Sequence, residues 1–130
     1  MKKSLLKLAL HTANKMLHKH PQFKNYIHFA FLVQNEKIIS IGKNHVGVPP
    51  KHLGYHRRIN DTPKTHAEWD AYKKGKGLLN KSKPFECINI RLNKKGELKL
   101  SKPCCCCYEV LKELGCKKFY YSWDNGWLNN

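Results

Sequence analysis

Acidic residues are what this chain has least of. Nine Asp and Glu stand against 25 Lys and Arg, for a formal net charge of +16 over 130 residues. Arginine is scarce too, since 22 of the basic residues are lysine. An AT-rich coding sequence would favour lysine and asparagine, but it would also favour glutamate, so it does not explain the missing acids. The deficit points to a phosphate-bearing partner, either a nucleotide or a polynucleotide. The plainer alternative is a well-solvated surface.

Long apolar runs are also absent, and no stretch could span a membrane. The opening Met-Lys-Lys-Ser-Leu-Leu-Lys-Leu-Ala-Leu-His imitates an export signal, but Lys7 and His11 interrupt it and its spacing is helical. Without such a signal, a disulfide framework is disfavoured. Six cysteines, four of them consecutive at 104–107, suggest metal chemistry in a reducing cytoplasm. The hydrophobic fraction of 41% is ordinary, and the length suits one domain over residues 1–130.

Periodicity gives the elements. Leu6, Leu10, Ala13 and Leu17 share one face of a helix over about 4–19, which Pro21 ends. Residues 26–33, Tyr-Ile-His-Phe-Ala-Phe-Leu-Val, are apolar almost throughout, as in a strand covered on both faces of a layered α/β fold. Gln34-Asn35-Glu36 turns the chain into a second strand near 37–42. A polar loop over 43–64 follows, and loops that long usually carry function. A second helix is expected at 66–76, stopped by Gly75 and Gly77, with Thr65 as its cap. A third strand falls at 87–92, with Ile88, Ile90 and Leu92 on one face. A turn at 93–97 and a short extension come next. A third helix at about 104–114 ends at Gly115, and a fourth strand covers 117–122. Asp124-Asn125-Gly126 signals a tight turn, so a stub of fifth strand could return antiparallel at 127–130. The order predicts helices around a mixed sheet.

Two motifs carry chemistry. Residues 66–68 read His-Ala-Glu, and residues 103–107 read Pro-Cys-Cys-Cys-Cys. Together they fit H-x-E and P-C-x-x-C. Each opens a predicted helix, where the positive end of the helix dipole favours thiolates. Catalytic zinc usually keeps three protein ligands and one position for water. His66, Cys104 and Cys107 would be those ligands, and Glu68 the proton carrier beside the metal water. Cys104 and Cys107 share a helical face that Val110, Leu111 and Leu114 continue, so that face should point inward. Cys105 and Cys106 point elsewhere. A structural zinc knuckle is the bland alternative, but it would want a fourth Cys or His ligand and would leave Glu68 without a purpose.

These motifs and this order of elements resemble the zinc-dependent cytidine and deoxycytidylate deaminase superfamily. The resemblance implies a three-layer α/β/α sandwich with a four- to five-stranded mixed sheet, and Zn2+ held between two helix starts. It implies that Asn44, in a Gly-x-Asn at the end of the second strand, contacts the substrate's sugar. It implies that Ala67 offers its backbone amide to the pyrimidine ring, and that a homo-oligomer is plausible. A histidine as first ligand looks like the deoxycytidylate and nucleic-acid branches. A basic insert at 93–102 departs from the family pattern.

Tyr55, His56, Arg57 and Arg58 lie in the loop leading to the motif. Arginine offers phosphate a fork of donors, and tyrosine or histidine can stack on a base. His45, His52 and His56 lack nearby cysteine or acid partners for a second metal site. Trp69 and Tyr72 read as core or subunit-contact residues, and Cys87 and Cys116 as buried thiols. Trp123 and Trp127 could pack, line the pocket or stack on single strands.

Three readings stand in order. The first is a deaminase of a free cytosine nucleotide such as deoxycytidylate. The second is a deaminase of cytosine, with adenine ranking behind it, in single-stranded DNA or RNA. The third is a zinc-stabilised nucleic-acid-binding module without catalysis.

Overall fold

The computed structural model describes residues 3–18, 26–46, 64–101, 105–123 and 126–129. Helix α1 (Lys3–His18) comes first. Strands β1 (Tyr26–Gln34) and β2 (Lys37–Lys43) form a hairpin. Its two turn residues, Asn35 and Glu36, both have positive φ (54° and 62°). That pair of left-handed residues matches the right-handed twist of the flanking strands.

Short strands β3 (His45–Val46) and β4 (Lys64–Thr65) pair antiparallel. The two ends of the stretch expected to be loop, 43–64, are therefore joined by a ladder, and residues 47–63 lie outside the described residues. Thr65 belongs to that ladder and is not the cap of the next helix. Helix α2 (Ala67–Gly75) begins after His66, which occupies the cap position without a capping side-chain bond.

Strands β5 (Phe85–Asn93) and β6 (Leu98–Lys99) follow, then helix α3 (Cys105–Glu113) and strands β7 (Cys116–Trp123) and β8 (Gly126–Asn129). The sheet runs β2-β1-β5-β7-β8, with β6 added beside β5. The β5–β7 pair is parallel and the others are antiparallel, so the sheet is mixed. The return strand expected near 127–130 is β8. The Asp124-Asn125 part of its turn lies outside the described residues.

Alternation sorts the central strands into two cores. Ile27, Phe29, Phe31 and Val33 of β1 join Ile88, Ile90 and Leu92 of β5 under α1, where they meet Leu6, Ala9 and Ala13. Ala30 and Leu32 join Cys87 on the opposite face, with Ala67 and Ala71 of α2 and Leu111 of α3. Helix α1 therefore covers one face, and α2 and α3 cover the other. This is the three-layer α/β/α sandwich. Leu114 departs from expectation. It follows the last turn of α3 and is 42% exposed, while Val110 and Leu111 are buried. Gly115 turns the chain away at φ 111°, a left-handed conformation that suits glycine. Among the described residues, no helix is long and apolar enough to cross a membrane.

Candidate active site

Three consecutive residues at the end of β2 fix where α2 starts. Gly42 has no side chain, and a β-carbon there would overlap the Ala67 carbonyl oxygen and the Ala71 amide nitrogen and lie 2.8 Å from Ala71 Cα. Helix and strand therefore touch backbone to backbone. Lys43 donates its N–H to Asp70 Oδ2 at 2.9 Å, and Lys74 Nζ donates to the same oxygen at 2.9 Å. Asp70 is fully buried, so these charge-assisted bonds are what make its burial tolerable. The side-chain Oδ1 of Asn44 accepts the His28 N–H at 2.9 Å, and the Asn44 N–H donates to the His28 carbonyl at 3.2 Å. The start of α2 is thus tied to the end of β2, which is itself tied to β1.

His66 is extended (φ −77°, ψ 144°), and its carbonyl accepts the Asp70 N–H at 3.0 Å. Its imidazole turns to Cys107 on α3, with Nδ1 3.4 Å from Cys107 Sγ. Zinc bonded tetrahedrally to one nitrogen and one sulfur would hold those atoms about 3.6 Å apart. The observed spacing fits that ion, and imidazole with thiol is a donor pair that zinc takes. Cys107 is fully buried and packs with Trp69 and Val110. Trp69 stacks on Tyr72 with centroids 5.6 Å apart, so both belong to the packing of α2.

Glu68 completes the cluster. One ligand atom from each of His66, Glu68 and Cys107 lies within 4.8 Å of the others. The Glu68 carboxylate is 2% exposed. Asn89 Nδ2 donates to its Oε1 at 3.1 Å, and His28 Nε2 lies 3.3 Å from the same oxygen. Asn89 Nδ2 also donates to the Ser101 carbonyl at 3.3 Å, just ahead of Cys104 in the chain. The Ser101 hydroxyl donates to the Asn89 carbonyl at 2.8 Å, so β5 and the approach to α3 are held together inside the protein.

Of the residues singled out in the sequence, His66, Glu68 and Cys107 come together. Ala67 is buried at the first position of α2, and Asn44 sits beside His28 at the end of β2. Cys104, Tyr55, Arg57, Arg58, His52 and His56 lie outside the described residues. The reading of the sequence missed His28 and Asn89. Both left a signal: each is a polar side chain set among apolar neighbours in a central strand.

Cys87 and Cys116 are buried thiols, as expected. Burial pushes the Cys87 thiol well up, and pushes Cys116 up to about 12. Since the thiolate is the reactive form, neither should be alkylated by iodoacetamide at pH 8 in the native protein. Peptide mass spectrometry would check this. Native-state labelling of either residue would contradict the burial.

A cytidine deaminase-like sandwich, with histidine, glutamate and cysteine gathered where α2 meets α3, is the class of fold this chain builds. No family model and no curated protein matches the sequence. Solved structures do match the fold. The dCMP deaminase of the cyanophage S-TIM5, in complex with dCMP and dUMP, aligns with a TM-score of 0.59 at 21% identity, covering 93% of this chain and 82% of that one. The apo form of the S-TIM5 dCMP deaminase aligns with a TM-score of 0.59 at 24% identity, covering 93% and 84%.

Proposed function

We propose that the chain is a zinc-dependent hydrolytic deaminase, acting on a C–N bond of a cyclic amidine, that converts cytosine to uracil in a phosphorylated substrate. A free nucleotide such as deoxycytidylate ranks first. The observation that carries this reading is the His66–Glu68–Cys107 group, with Glu68 and Cys107 buried, in a fold whose solved counterpart was crystallised with dCMP and dUMP. Those two nucleotides differ by an amine exchanged for an oxygen, as substrate and product of hydrolytic deamination do.

His66 and Cys107 would hold the ion, with Cys104 as third ligand. Zinc, when bound, supplies the Lewis acidity that brings a water's pKa toward neutrality. Glu68 takes the proton from water and passes protons to the ring nitrogen and the departing amine. Its burial keeps bulk water from competing for those protons. Asn44 has its Oδ1 engaged by His28, which leaves Nδ2 to offer a sugar hydroxyl. The Ala67 N–H would meet the pyrimidine ring. Tyr55, Arg57 and Arg58 would take the base and phosphate.

The net charge of +16 favours a second reading, in which the cytosine belongs to single-stranded nucleic acid. The zinc-loaded protein should be assayed on dCMP and on a cytosine-containing single-stranded oligonucleotide in parallel, with Glu68→Ala as the blank. Conversion of dCMP alone is the expected result. Conversion of the oligonucleotide alone would replace the first reading with the second. Conversion of neither would favour a binding module without catalysis.

A further inference from the structure

We infer that Asn89 and His28 are positioning residues that hold Glu68 through Oε1 and so reserve its other oxygen, Oε2, for proton transfer, an inference that rests on the deaminase reading above. Both contacts converge on the same oxygen: Asn89 Nδ2 donates a hydrogen bond to it at 3.1 Å, and His28 Nε2 approaches it at 3.3 Å as an ion-pair contact without hydrogen-bond alignment. A carboxylate that moves protons between water and a ring nitrogen needs one oxygen available to both. It also needs its plane fixed, because small errors in placement at a reacting centre cost rate steeply. Holding the carboxylate by one oxygen satisfies both needs.

The surroundings fix the orientation of each partner. Asn89 is fully buried in the central strand. Its Oδ1 accepts the Cys87 thiol at 3.3 Å, and its Nδ2 donates to both Glu68 and Ser101. A flipped amide would turn its oxygen on a carboxylate and a carbonyl, and its NH2 on a thiol proton, so one orientation is strongly preferred. The high pKa of Cys87 keeps that proton in place. His28 is set by its backbone, since Asn44 accepts its N–H and donates to its carbonyl. His28, Ala30 and Leu32 alternate onto the α2 face of β1, as Cys87 and Asn89 do on β5, and His28 and Asn89 thereby lie beneath Glu68.

A bland role is the alternative, because buried carboxylates generally have partners. The two roles separate experimentally. Asn89 is too deeply buried for a clean substitution, whereas the His28 side chain is 24% exposed. His28→Phe keeps a ring and loses the nitrogen that faces Glu68, while His28→Gln keeps a polar N–H group there. For a positioning role, His28→Phe should lower kcat on dCMP by about 10- to 100-fold with KM within about threefold. Bound zinc should stay at the wild-type level, and His28→Gln should recover most of the rate. A second measurement reads the contact without turnover. His28→Phe should shift the thermal midpoint in wild type and much less in a Glu68→Ala background, because coupled partners are not additive.

An unchanged kcat in His28→Phe would overturn the inference. So would loss of zinc in that variant, or equal rate losses in the Phe and Gln variants. Additive thermal shifts would deny the contact itself. A wild-type protein inert on dCMP would overturn the deaminase reading and the catalytic part of this inference with it. The thermal cycle would still report the contact, so the two failures are distinguishable.

Discussion

Glu68→Gln should lower kcat on dCMP by about three to four orders of magnitude, the upper range for removing a general acid–base group, while zinc content and the thermal midpoint should stay near wild type. Geometry supports the separation of these effects. Glutamine keeps the shape of the side chain and an Oε1 that can accept from Asn89, so the packing beneath α2 survives. His66 and Cys107, the proposed metal donors, are untouched and should retain their 3.4 Å spacing. What is lost is a group able to gain and release a proton. Steady-state kinetics with metal analysis on the same sample checks the prediction. A rate drop matched by metal loss would instead make Glu68 a ligand or a structural acid. An unchanged rate would exclude it as the proton carrier.

Much of this arrangement could be read from the residues. Strand alternation at Ile88, Ile90 and Leu92 gave the face of β5 that packs under α1, and the helical spacing of Leu6, Leu10 and Ala13 gave the inward face of α1. Local periodicity decides such faces, and nothing distant overrode it. The pairing of His66 with Cys107 rested on two motifs 41 residues apart, and they meet because the order of elements places both helices on one face of the sheet. The surroundings of Glu68 were not legible in the same way. His28 reads locally as one polar interruption in an apolar strand, and Asn89 as one asparagine in an alternating one. Their purpose depends on the pairing of β1 with β5, a long-range fact. Leu114 failed for a different reason: helical spacing extends a face indefinitely, whereas the helix itself ends at Glu113. Thr65 failed because a capping residue type has no claim on the cap when its backbone is taken by a ladder.

Gly42→Ala should damage both stability and activity, and the damage should exceed what one methyl group implies. At most sites an added methyl finds side chains that can yield. At Gly42 the obstacle is the backbone of α2: the Ala67 carbonyl, the Ala71 amide and the Ala71 Cα at 2.8 Å. Relief requires the helix to move off β2. That movement would stretch the bonds from Lys43 N–H to Asp70 and from Ser40 Oγ to the Ala71 carbonyl, now 2.9 Å and 2.7 Å. Overpacking a close contact typically costs 1–3 kcal/mol, and strained bonds to a buried carboxylate add to it, so about 3 kcal/mol or more is expected. For a domain of this size that corresponds to roughly a 10 °C fall in thermal midpoint. The same movement displaces His66 and Glu68 together while Cys107 stays on α3, so zinc affinity and turnover should both fall. Gly77 supplies the control, since a β-carbon there meets nothing within 4 Å. Gly77→Ala should leave the midpoint within a few degrees and the activity unchanged. If Gly42→Ala melted like Gly77→Ala and kept its zinc, then the close seating of α2 on β2 would not be what places the site.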